Sequence, residues 1–194
     1  LDDLARELSS TGTTLVSVAA DATDATAMAS LFDRFGTEFP ALDGIYLAAF
    51  AGGPVALADM TEDDVTAMFR PKLDALDVLH SLSLRTAVRH FVLFSSISGL
   101  LGSRWLAHYT ATSTFLDTFA GARRNLGLPA TAVNWGLWKS LADLQSGAPS
   151  GQVINASDCA QVAKAALAVE LRTPPTQCNF QPLLAQNPPP LCET

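Results

Sequence analysis

A chain of 194 residues holds one domain with a full core and is too short for two comfortable ones. Its 48% hydrophobic and 16% charged content describe a globular chain, and a net charge of −7 without any basic run argues against a nucleic-acid backbone or an anionic membrane as partner. Cys159, Cys178 and Cys192 are odd in number and far apart, with no CxxC and no nearby histidine pair, so neither a disulfide framework nor a zinc site is expected.

The first residues, LDDLARELSS, place Leu1, Leu4 and Leu8 on one helical face, and Thr11 to Thr13 end it. They are charged rather than leader-like, and no apolar run approaches the roughly 18 residues of a membrane span. The sequence therefore reads as cytoplasmic, with no membrane insertion. Thr14 to Ala20 is β-branched and apolar and predicts a buried strand ending at Asp21. Ala25 to Phe35 predicts a helix with Met28, Leu31, Phe32 and Phe35 inward. Gly44 to Ala49 predicts a second strand, which Gly52, Gly53 and Pro54 terminate.

Thr61 opens a long helix, with Asp64 in a capping-box position. Its apolar stripe runs through Val65, Met68, Phe69, Leu76 and Leu79, and Lys72 falls on that stripe. A lysine there must either snorkel or be used. Phe91 to Phe94 predicts a third strand, and Leu106 to Asn125 a helix that carries Tyr109 and buries Phe115 and Leu116. Ala130 to Asn134 predicts a fourth strand, followed by Trp135 and Gly136. A polar stretch from Lys139 to Gly151 leads to a helix from Ser157 to Leu171, which Pro174 and Pro175 stop. The domain is expected to span 1–187, with Pro188 to Pro190 in an exit linker over 188–194.

Strands alternating with helices predict an α/β fold, a Rossmann-like doubly wound parallel sheet. In such a sheet, chemistry collects beyond the carboxyl ends of the strands, where Asp21, Ala48-Ala49-Phe50, Ser95-Ser96 and Trp135-Gly136 converge. Taken singly, Asp21 reads equally well as a helix cap and Ala48-Ala49 as tight packing.

The segment FVLFSSISGLLGSRWLAHYTATSTFLD, Phe91 to Asp117, closely resembles the active-site segment of polyketide synthase ketoreductase domains, a branch of the short-chain dehydrogenase/reductase superfamily. The family sets a serine at a strand end, a tyrosine 13 positions later and a lysine about 24 positions before the serine; Ser96, Tyr109 and Lys72 fit all three. YLAAFAGGPV, SRWLAHYTATS and NWGLWKSLAD look most like the mycobacterial phthiocerol-type lipid synthases.

The resemblance implies NADPH-dependent reduction of a β-ketoacyl group on an acyl carrier protein, beside neighbouring synthase domains and without a metal. It implies Tyr109 as proton donor, Ser96 as partner of the carbonyl oxygen, and Lys72 as electrostatic tuner and cofactor ligand. Asp21 would contact the adenine, Ala48 and Ala49 would let the cofactor lie against the backbone, and Trp135-Gly136 would flank the nicotinamide, with Tyr109 also beside it. These roles suit the chemistry. Reducing a ketone needs a proton donor where negative charge develops, and a phenol with its ordinary pKa of about 10 needs a nearby ammonium to yield its proton.

The sequence also departs from the family. Ser113 stands where an asparagine is usual four positions after the tyrosine, shorter but able to hold a water or pass a proton. Phe50 replaces a glycine, Leu101 replaces the tryptophan that marks one stereochemical class, and the other class's Leu-Asp-Asp fingerprint has no counterpart between Gly52 and Asp59. The Gly-rich phosphate-binding βαβ unit has no counterpart before the first helix, through omission or through truncation, and the lid region between Asp143 and Ser157 is short. A catalytically silent, structural ketoreductase-like domain is the alternative.

Overall fold

The computed structural model describes residues 2–138 and 153–154. The expected helix over Ser157 to Leu171, most of the short lid region, the three cysteines and the proline-rich end lie outside the described residues.

Three strands form a parallel sheet in the order β1-β2-β3: Gly44–Leu47, His90–Ser96 and Thr131–Trp135. Leu47 pairs with Leu93, and Ser96 pairs with Trp135, so β2 and β3 end side by side. A parallel pair needs a crossover, and each crossover here is helical. After α1 (Asp2–Ser9) and α2 (Ala25–Phe32), helices α3 (Glu62–Phe69) and α4 (Ala75–Ser83) join β1 to β2. A one-turn α5 (Ser98–Leu101) and the long α6 (Ala107–Asn125) join β2 to β3. A two-residue parallel pair follows, β4 (Leu137–Trp138) with β5 (Val153–Ile154).

Local chemistry explains the helix starts. Asp24 caps α2 by accepting from the backbone N–H groups of Thr26 and Ala27, and Thr61 and Asp64 form the expected reciprocal box on α3. The core joins Met28 of α2, Leu76 and Leu79 of α4, Phe91 and Leu93 of β2, and Leu116 and Ala120 of α6.

Three expectations fail. Thr14 to Ala20 forms no strand, and Val16 and Val18 are exposed. A β-branched run becomes a strand only when a neighbour takes its backbone hydrogen bonds, and among the described residues none lies beside it. Asp21 therefore does not stand at a strand end. Phe115 is 43% exposed and stacks on Phe119 rather than entering the core. Along α6 the inward face runs through Ser113, Leu116 and Ala120, and at 3.6 residues per turn Phe115 points away from it. The predicted end of α2 also contracts, from Phe35 to Phe32, because Phe35 turns back to bridge Phe39.

Candidate active site

Lys72 is placed by an interruption in its helix. Pro71 has no N–H, and its ring would clash with the carbonyl four residues back in a regular α-helix. The chain widens instead into a π-turn over Arg70–Asp74, closed by the Ala75 N–H on the Arg70 carbonyl. Such turns recur at functional sites. The result points Lys72 inward with only 2% of its surface exposed, between Met68 and Leu76, both fully buried. It does not snorkel. Burial lowers its pKa from 10.5 to about 8, against an opposing pull from the Asp117 carboxylate.

Tyr109 lies in the first turn of α6, half-buried. The Lys72 Nζ sits 4.6 Å from the centre of its ring, a cation–π contact. Phe50, 60% exposed, meets the same ring in a T-shaped contact at 5.5 Å. The loops that bring these groups together are held tightly. Gly52, at φ +84, runs so close to Met68 that an added Cβ would lie 3.0 Å from its Cε. Trp105 takes a positive φ of 62°, which for a bulky side chain costs about 1–3 kcal/mol, and its carbonyl accepts the Val55 N–H at 2.7 Å. That bond ties the loop after β1 to the start of α6.

The two serines at the end of β2 divide their roles. Ser95 turns to α6, donating to the Ser113 carbonyl at 3.0 Å. Ser96 turns away by strand alternation. Its oxygen accepts the Ser98 N–H at 3.1 Å, and its hydrogen reaches the Trp135 carbonyl only at 3.5 Å, the limit of a hydrogen bond. A proton held that weakly is available to a better acceptor. Ser113 is fully buried and donates to the Tyr109 carbonyl at 2.9 Å, so a relay through it must first break that bond.

Among the residues expected to meet a cofactor, Ala48 and Ala49 are exposed just beyond β1, and Trp135 is buried with its ring tilted over Phe94. Gly136 follows at the end of β3. Asp21 is exposed, with one carboxylate oxygen bonded by the N–H and hydroxyl of Thr23 and the other paired with Arg70 at 2.9 Å. These bonds hold its carboxyl below the usual range, the Thr23 N–H first and Arg70 last. Arg70 begins the π-turn that carries Lys72. The structure thus brings Lys72 into contact with Tyr109, sets Ser96 beside Trp135, and links Asp21 to the lysine's turn.

Three features escaped the sequence reading. Pro71 inside a helical pattern signals a break, but not that the break is a π-turn. Nothing in the sequence announces the left-handed Trp105. Asn134 and Asp117 form a network at the strand ends: the Asn134 amide donates to Asp117 at 2.8 Å and to the Ser96 carbonyl at 3.2 Å. Asp117 stands eight residues after Tyr109 on the same helical face, which the spacing could have shown. Among the described residues no helix is long and apolar enough to cross a membrane, and no group of side chains could hold a metal ion.

A family model described as "KR domain" matches residues 2–140. Over 148 residues the chain is 74% identical to a phenolphthiocerol/phthiocerol polyketide synthase subunit of Mycobacterium bovis, a match covering 76% of this chain and 10% of that protein. It is 35% identical over 162 residues to mycoketide-CoA synthase of Mycobacterium tuberculosis, covering 84% of this chain and 4% of that one. The chain spans about a tenth or less of the length of these relatives. Among solved structures it matches an A-type ketoreductase from a modular polyketide synthase with a TM-score of 0.78 and 29% identity, over 87% of this chain and 37% of that one.

Proposed function

The chain belongs to the KR domain family of polyketide synthases, and on that premise we propose that it is the catalytic portion of an NADPH-dependent β-ketoacyl reductase. Its substrate would be a β-ketoacyl thioester on an acyl carrier protein, reduced to the β-hydroxyacyl form beside neighbouring synthase domains. The observation that carries the reading is a buried ammonium over the ring of a tyrosine, Lys72 on Tyr109.

Ala48 and Ala49, small and exposed past the end of β1, suit the close approach of a nicotinamide cofactor to the backbone, so the residues present fit that group. When bound, the reduced cofactor supplies a hydride to the carbonyl carbon. Tyr109 then donates its phenolic proton to the oxygen on which negative charge develops. The Lys72 ammonium, protonated roughly ten to one at pH 7 given a pKa of about 8, stabilises the phenolate left behind. Ser96, with its proton only loosely engaged, gives the same oxygen a second hydrogen bond. Asp21, Trp135 and Gly136 complete the cofactor side of the crevice, and Ser113 steadies Tyr109 through its carbonyl.

Two observations favour a silent structural domain: the Ser113 hydroxyl is committed to the helix, and Phe50 crowds the tyrosine. NADPH oxidation by the natural full-length protein with a simple β-ketoacyl thioester separates the readings. The parent should turn over, and Tyr109→Phe should lose about 10²- to 10⁴-fold while still binding NADPH. A full-length protein that does not bind NADPH at all would sustain the silent reading instead, whereas binding without turnover in either protein would point to Ser113 or to the substrate chosen.

A further inference from the structure

Asp117 is a carboxylate with one oxygen used and one not. Its Oδ2 accepts from the Asn134 amide at 2.8 Å, whereas Oδ1 is buried and has no hydrogen-bond partner in the structure. The Asn134 amide nitrogen is surrounded by acceptors, the Ser96 carbonyl, the Ser95 hydroxyl at 3.4 Å and Asp117, which fixes it as the donor. Gly99 of α5 comes down on the same patch, its absent Cβ position 3.3 Å from Asp117 Oδ2. The carboxylate is therefore clamped from two sides, and one charged oxygen is left bare.

A bare carboxylate oxygen out of water is costly unless a counter-charge faces it. Two cations are buried among the described residues, Arg123 and Lys72. The Arg123 hydrogen bonds go to Pro129, His80 and Ser83, and its guanidinium lies over Phe91. Lys72 is the cation that remains, and no carboxylate forms a close ion pair with it among the described residues. Tyr109, Ser113 and Asp117 follow one another at four-residue intervals along α6, and the first of them touches the Lys72 ammonium.

We propose that Asp117 is a positioning residue of the reductase, the through-space counter-charge that keeps Lys72 an ammonium and so keeps Tyr109 a competent proton donor. The proposal rests on the reductase reading. Tyr109 of α6 touches Lys72, and Asp117, two turns further along the same helix, acts on it through space; the ends of β2 and β3 packed against that helix contribute Ser95, Ser96 and Asn134, none of them charged. Asp117 acts through Lys72 and touches neither substrate nor cofactor.

The test uses the natural full-length protein and two readouts. Asp117→Asn keeps a carbonyl for Asn134 and removes the charge; Asp117→Glu keeps the charge. In the first readout, Lys72 is titrated by competitive acetylation with acetic anhydride and peptide mass spectrometry, which needs no turnover. Its midpoint should fall by roughly 0.5–1 pH unit in Asp117→Asn and stay within a few tenths of the parent in Asp117→Glu. In the second, the alkaline limb of kcat for NADPH-dependent reduction should move down with it, giving about a two- to fivefold loss at pH 8 and little loss at pH 6.5. An unmoved Lys72 midpoint in Asp117→Asn overturns the proposal, as does a rate loss equal at every pH. A midpoint that falls in Asp117→Asn while the parent itself shows no turnover would sustain the pairing and sink the reductase reading.

Discussion

Replacing Lys72 by methionine should make the protein more stable while abolishing reduction. The ammonium is 2% exposed, and burial outweighs the pull of Asp117, lowering its pKa from 10.5 to about 8. By linkage that difference corresponds to about 3 kcal/mol, at 1.36 kcal/mol per pH unit. The sign follows from which state holds the proton. Between about pH 8 and 10.5 the unfolded lysine keeps its proton and the folded one has lost it, so stability rises with pH across that window. Below pH 8 both states are protonated, and the fold bears the whole cost. Methionine carries no charge and is long enough to fill most of the channel left by the lysine's alkyl stem. Urea unfolding at pH 7 should therefore find Lys72→Met more stable by about 1–3 kcal/mol, with the gap closing as the pH approaches 10. A less stable variant at pH 7, or a gap that does not change between pH 7 and 10, would refute the reasoning.

Three further outcomes are expected. Gly99→Ala forces a methyl to within 3.2 Å of the Ser113 Cβ and the Thr114 backbone nitrogen, which α6 holds in place, so thermal unfolding should register a loss of about 1–3 kcal/mol. Thr61→Ala removes the side-chain half of the capping box and should cost about 1 kcal/mol in urea unfolding, with activity unchanged. His80 accepts a hydrogen bond from Arg123 on Nδ1, and burial first, then Arg123, lowers its pKa against the pull of Asp77. Its contribution to stability is present above the unfolded value of about 6.5 and fades as the pH drops below it. Unfolding midpoints measured from pH 7.5 to 5 should show that loss, and His80→Asn should flatten it.

The placement of the lysine, serine and tyrosine was legible because it depends on spacing. Four-residue steps set Lys72 on the stripe of Met68 and Leu76, and a serine at the end of an apolar strand stands at the carboxyl end of a parallel sheet. The capping box at Thr61 was legible for the same reason, since both of its partners lie within one turn. Segment 14–20 was misread because its composition reports propensity, whereas a strand is a pairwise object whose hydrogen bonds belong to a neighbour. Phe115 was misread because an apolar residue on an amphipathic helix is assigned by rotation angle, and Ser113, Leu116 and Ala120 had already taken the inward face.

By itself, then, the sequence determined the helical stripes, the capping box at Thr61 and the alternation of strands and helices from Gly44 onward, all of which rest on contacts within a few residues. Only the tertiary structure decided which groups meet across long separations. Pro71 widens one turn so that Lys72 reaches Tyr109, 37 positions on. The Trp105 carbonyl anchors Val55, Asn134 spans the strand ends to reach Asp117, and Arg70 claims Asp21. Each depends on where three-dimensional packing leaves a donor, an acceptor or a bare charge. Local propensity carries no information about that, because the energy of a buried polar group is set by its surroundings rather than by its neighbours in the chain.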